Sequence, residues 1–94
     1  MQYNFNWNPK KASKNIKKHK ISFDRAASIF RDPKAISIID EEHSENEERW
    51  LTMGLDQSGI LLVVSHTFKM VDTSTYEIRI ISARKTDKSE VKQY

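Results

Sequence analysis

The sequence predicts an α+β domain: two N-terminal helices packed on a mainly antiparallel β-sheet, with a short C-terminal helix. Three observations carry this. Helical spacing of apolar residues is confined to residues 9–32. Strand-like runs fill the chain from residue 35 to residue 85. The last three of these runs are joined by short connections, as in a meander. Helices followed by strands fit helices laid on one face of an antiparallel sheet. Ninety-four residues make a single domain, residues 1–94, with one core.

Tyr3–Trp7 alternates Tyr3, Phe5 and Trp7 with Asn4 and Asn6, a short strand with an aromatic face. Asn8 is placed to cap a helix that Pro9 opens and that runs to about Lys18. Its apolar side is thin, Ala12 and Ile16, against Lys10, Lys11, Lys14, Lys17 and Lys18. Such a helix cannot be held by its own burial alone. Ser22 caps the second helix, with Phe23, Ala26, Ala27 and Phe30 as its core face. Asp32-Pro33 ends it. Strands follow at Ala35–Ile39, Arg49–Asp56, Ile60–Thr67 and Tyr76–Lys85. Asp56–Gly59 reads as a turn with glycine last. Thr86 or Asp87 caps the terminal helix, which ends at Tyr94.

Charge is unevenly spread. Residues 1–39 hold nine Lys or Arg against Asp24 and Asp32, whereas residues 40–48 (DEEHSENEE) hold six carboxylates and no Lys or Arg. A basic surface suits a polyanionic partner such as nucleic acid, or is a solvated lysine face. The acidic stretch lacks EF-hand spacing and reads as a solvated loop, with His43 exposed in it. The chain has no cysteine, which excludes disulfides, thiolate metal sites and a cysteine nucleophile and suits the cytoplasm. No apolar run reaches the ~18–20 residues of a membrane span, and no signal peptide is expected. No Walker loop, G-x-S-x-G elbow or H-E-x-x-H pattern is present, so no metal or cofactor is expected.

In Tyr76–Lys85, alternation puts Glu77 and Arg79 on one face and Tyr76, Ile78, Ile80 and Ser82 on the other. With Asp56 opposite Ile60, Leu51, Met53, Leu55, Leu61 and Val63 are expected to face the helices. Trp50 and His66 then join Glu77 and Arg79 on the open face. A one-residue slip of register exchanges the faces. Such a surface suits metal-free RNA cleavage, which needs a base for the 2′-hydroxyl, a cation for the phosphate and an acid for the leaving oxygen. The candidates are Lys18, His19, Arg49, His66, Glu77, Arg79, Arg84, Lys85 and Tyr94.

Three blocks carry a resemblance: FNWNPKKASKNIKKHKISFDRAASIFRDP at Phe5–Pro33, H-S-x-x-E-E-R at His43–Arg49, and RIISARK at Arg79–Lys85, followed by Glu90 and Tyr94. With them the chain resembles the BrnT family of toxin–antitoxin ribonucleases. The resemblance implies a RelE-like fold and an mRNA-cleaving toxin, free or ribosome-associated, that halts translation. It implies a BrnA-like antitoxin with a ribbon-helix-helix domain, and promoter DNA bound only through that partner. Carried onto matching positions, it points to Arg49, Arg79 and Tyr94 as catalytic, with Lys18, His19 and Arg84 in support. It departs at Lys69–Thr75, which is neutral where the family is usually more basic. A non-catalytic binding module using the Lys10–Lys20 helix, and a degenerate toxin that only captures its antitoxin, are the alternatives.

Overall fold

The computed structural model describes residues 2–94. Among these, the strands are β1 (Gln2–Trp7), β2 (Ile36–Ile39), β3 (Arg49–Leu55), β4 (Leu61–Thr67), β5 (Lys69–Met70) and β6 (Thr75–Lys85). The helices are α1 (Pro9–His19), α2 (Phe23–Ser28) and α3 (Lys88–Val91), with 3-10 turns at Ile29–Arg31 and Glu41–His43. The sheet order is β1-β6-β4-β3-β2, and β5 also pairs with β6. β1 runs parallel to β6; every other pairing is antiparallel.

The expected caps form. Asn8 Oδ1 accepts from the N–H groups of Lys10 and Lys11. Ser22 Oγ accepts from the Arg25 N–H, and Asp87 and Glu90 form a capping box. The 56–60 turn closes with Asp56 N–H on Ile60 O at 2.8 Å, and Gly59 takes φ +80°. The second helix departs from expectation. It tightens into a 3-10 turn after Ser28, so Ile29 enters the core and Phe30 is only half-buried.

The core joins Ile21, Phe23, Ala26 and Ile29 to Leu62, Val64, Ile78, Ile80 and Ala83. This reverses the expected faces. Thr52, Gly54, Leu62, Val64 and His66 lie under the helices; Leu51, Met53, Val63 and Ser65 lie on the other side. The partners were paired as expected, Trp50 with His66 and Gly54 with Leu62. Leu61–Val64 is apolar on both sides, so alternation could not choose. Gly54 fits that choice: a Cβ there would lie 3.2 Å from Ala35 Cβ and from the Ile29 carbonyl oxygen, closer than most side-chain contacts, so the bare backbone eases that turn's approach. A bulge in β6 makes a second correction. Ser65 pairs with Ser82 but His66 with Ile80, so Ile81 is an extra residue. Ile81 and Ser82 therefore both line the open face, and Ala83 turns inward.

α1 is held by a side chain rather than by an apolar stripe. Ile16 is 47% exposed, whereas Asn15 is buried. The Asn15 amide donates to Ile21 O and Ala83 O, both at 2.9 Å, and its Oδ1 accepts the Ala83 N–H at 3.0 Å. β1 stops pairing with β6 at Ile80, so beyond that point Asn15 serves as the missing strand partner. Lys20 takes left-handed backbone geometry (φ 62°) and turns the chain so that Ile21 O reaches the amide.

Asn15→Ala should cost about 3 kcal/mol, since three backbone groups are left unpaired at roughly 1 kcal/mol or more each. Urea unfolding checks this, and an unchanged midpoint would contradict it.

Candidate functional site

At one end of the open face, where β3 begins and β4 ends, charged side chains converge; the Arg84–Glu90 pair lies farther along the same face, opposite Val63. The acidic loop between β2 and β3 is folded rather than loose. Asp40 N–H donates to Arg49 O at 2.8 Å. Ser44 Oγ donates to Asp40 O at 2.6 Å and accepts the Arg49 N–H at 3.0 Å. These bonds bring residues 43–47 back over the sheet. His43 Nδ1 lies 2.9 Å from an Asp40 carboxylate oxygen.

Glu47 sits between two arginines. Its Oε1 is bonded by Arg79 Nη2 and lies 3.9 Å from Arg49 Nη2. Arg49 is on β3 and Arg79 on β6, with Thr67 of β4 between them. Thr67 pairs with Arg49 and takes the Arg79 N–H on its Oγ1 at 3.3 Å. Arg49 Nε is buried and has no acceptor among the described residues. Beside the pair, Asp40, His43, Arg49, Ser65, Ile81 and Ser82 border a depression of about 360 Å³. Two guanidinium groups around one carboxylate oxygen form an anion seat, which the protein fills with its own side chain.

The expected site residues divide. Arg49 and Arg79 come together. Glu77 shares their face by strand alternation, but Arg79 bonds Glu47, and Glu77 is exposed. Tyr94 lies elsewhere. Its hydroxyl donates to Asp32, whose same carboxylate oxygen accepts the Leu55 N–H. Leu55 is at the opposite end of β3 from Arg49, roughly 20 Å away at ~3.3 Å per residue. The bond to Asp32 holds the Tyr94 hydroxyl up to about 12. Arg84 is engaged in a two-pronged bond to Glu90, at 2.7 and 2.8 Å, which fastens α3 to β6. That pairing raises its pKa further. Lys85 is exposed at the far end of β6, opposite Leu62. Lys18 and His19 close α1, on the helix side.

His66 is the clearest displacement. It is buried on the helix side against Phe30, ring centroids 4.9 Å apart, and does not share the Arg79 face. Its Nδ1 bonds Thr67 O at 2.9 Å and its Nε2 bonds Thr52 Oγ1 at 2.6 Å. Glu47 joins the cluster without having been singled out; His43, expected to be exposed, is exposed beside it with Asp40 as partner. The H-S-x-x-E-E-R block held both Glu47 and His43.

A family model described as the ribonuclease toxin, BrnT, of type II toxin–antitoxin systems matches residues 7–90. The chain belongs to the BrnT family. The matched span takes in His43, Glu47, Arg49 and Arg79 and ends short of Tyr94. The crystal structure of the Brucella abortus ribonuclease toxin BrnT shares the fold, with a TM-score of 0.56 at 19% sequence identity. That comparison covers 94% of this chain and 100% of the Brucella one. No curated protein matches the sequence. As a BrnT ribonuclease toxin the chain has an antitoxin partner and an RNA target. No helix among the described residues is long and apolar enough to cross a membrane.

Burial pushes the His66 pKa below its ordinary 6.5, and the weaker opposing bond to Thr67 does not restore it. The folded state then binds fewer protons than the unfolded one below about pH 6.5. The stability contributed by neutral His66 is complete above that pH and is lost as pH falls through the folded-state value. Urea midpoints should fall between about pH 7 and 5, and less steeply in His66→Gln. Identical slopes would contradict a buried neutral imidazole.

Proposed function

We propose that this toxin cleaves RNA without a metal ion, by attack of the 2′-hydroxyl on the adjacent phosphate. The observation that carries the proposal is the convergence of Arg49 and Arg79 on one carboxylate oxygen of Glu47. A phosphate entering this seat takes the place of Glu47 and gains up to two guanidinium forks. The displaced Glu47 carboxylate then stands beside the phosphate, where it accepts the 2′-hydroxyl proton. His43, oriented by Asp40, donates a proton to the leaving 5′ oxygen. The bond from phosphorus to O2′ forms, the bond to O5′ breaks, and the two arginines neutralise the phosphorane. The cations supply the charge stabilisation that a metal would otherwise supply.

In this reading Glu77 flanks Arg79 as a neighbour of the seat. The α1 lysines, with Lys18 and His19, form a separate basic surface. Cleavage of mRNA, free or on the ribosome, halts translation in the cytoplasm. A BrnA-like ribbon-helix-helix antitoxin neutralises the toxin and carries the complex to its promoter. The RelE-like architecture expected from the sequence supports the same metal-free chemistry by analogy.

Arg79→Ala should lower the cleavage rate in EDTA by about 10²–10³-fold, the usual loss on removing one donor to a developing oxyanion. Its unfolding midpoint should stay near wild type, because Arg79 is a surface residue. Full activity in the variant would remove Arg79 from the site.

A further inference from the structure

We propose that a second hollow, on the helix side behind the arginines, binds a base of the RNA that carries an exocyclic amino group. The proposal rests on the ribonuclease reading and names a subsite for its substrate. The hollow has a volume of about 200 Å³ and is bordered by Tyr3, Phe30, Ser37, Trp50, His66 and Phe68. Tyr3 and Phe68 are more than a third exposed, although both are large aromatics. Their rings meet edge to face at 6.3 Å, and Phe68 stacks on Tyr76 at 4.4 Å, which stiffens the wall. Walls of this kind suit a flat ring, and stacking on them is tolerant of base identity.

Position links the hollow to the phosphate seat. Trp50 follows Arg49 on β3, and His66 and Phe68 flank Thr67 on β4. Successive residues point to opposite faces, so seat and hollow lie back to back at one end of the sheet. An RNA strand passing over that end can leave a phosphate on one side and a base on the other.

The preference follows from hydrogen-bond direction. Thr67 O can only accept, so His66 Nδ1 carries the proton and neutral Nε2 accepts. Thr52 must then donate to Nε2, and its oxygen accepts from the Ser37 hydroxyl at 2.7 Å. Ser37 Oγ has spent its proton inward and has no other bond among the described residues. It presents a lone pair at the mouth of the hollow and so selects a donor, such as an amino group.

The test is equilibrium binding of an uncleavable probe: 2′-O-methyl oligoadenylate against the same oligomer built from purine riboside, which lacks the amino group. Wild type should bind the adenine oligomer several-fold more tightly. Ser37→Ala should bind the two equally, and Phe68→Ala should weaken both by roughly tenfold. Ser37→Ala removes a bond to buried Thr52 and Phe68→Ala a stacked ring, so each variant's melting temperature is measured and binding is compared well below it. Equal binding by wild type, or a preference that survives in Ser37→Ala, would overturn the proposal. Because the probe is not cut, a base preference in a chain that fails to cleave RNA would leave the hollow standing and remove the ribonuclease reading. Cleavage without base preference would remove the hollow alone.

Discussion

The buried amide of Asn15 lets a lysine-rich helix settle on this sheet. α1 buries little apolar surface, so its lysines stay in water and the hydrophobic effect holds it weakly. Three directional bonds do the holding instead. They also complete β6 where β1 runs out, immediately after the bulge at Ile81 and Ser82. β4 pairs with β6 on both sides of the bulge and sets the register that leaves Ile81 and Ser82 on the open face. Asn15 satisfies the other edge of β6 at Ala83, so the strand that carries Arg79 also docks α1.

That cluster is poised by its own loop. Ser44 and Asp40 tie residues 40–49 into a compact turn, and Glu47 is delivered between two cations. The carboxylate holds the two guanidinium groups together. In the proposed reaction this lowers the ordering a phosphate must impose, and the displaced carboxylate acts on the 2′-hydroxyl. The acidic stretch and the basic strand ends are therefore one device, despite their separation in sequence.

Much of the architecture was legible. Asn8, Ser22 and Asp87 are caps whose chemistry is local, and Gly59 marks its turn by the backbone it alone adopts easily. Strand pairing was legible too, because a short turn fixes the partners. The choice of face was not, since Leu61–Val64 is apolar on both sides and the contact that fits the observed face, Gly54 under Ile29 and Ala35, spans distant residues. Ser82 was misplaced for a related reason: a bulge breaks the two-residue period without a local mark. Asn15 reads as one more polar residue on a polar helix, because its partner lies at Ala83. Of the residues in the charged cluster, Arg49 and Arg79 were expected from the sequence, whereas Glu47 and a part for His43 were not. Loop residues carry no periodicity, and only the fold brings them over the sheet.

The chemistry at Arg49, Arg79, Glu47 and His43 is most directly tested by the ends it leaves. Mass spectrometry of RNA fragments produced by the purified toxin in EDTA should find 2′,3′-cyclic phosphates opposite 5′-hydroxyls. Fragments bearing 5′-phosphates and 3′-hydroxyls, or no fragments until a divalent cation is restored, would contradict attack by the 2′-hydroxyl at a metal-free site.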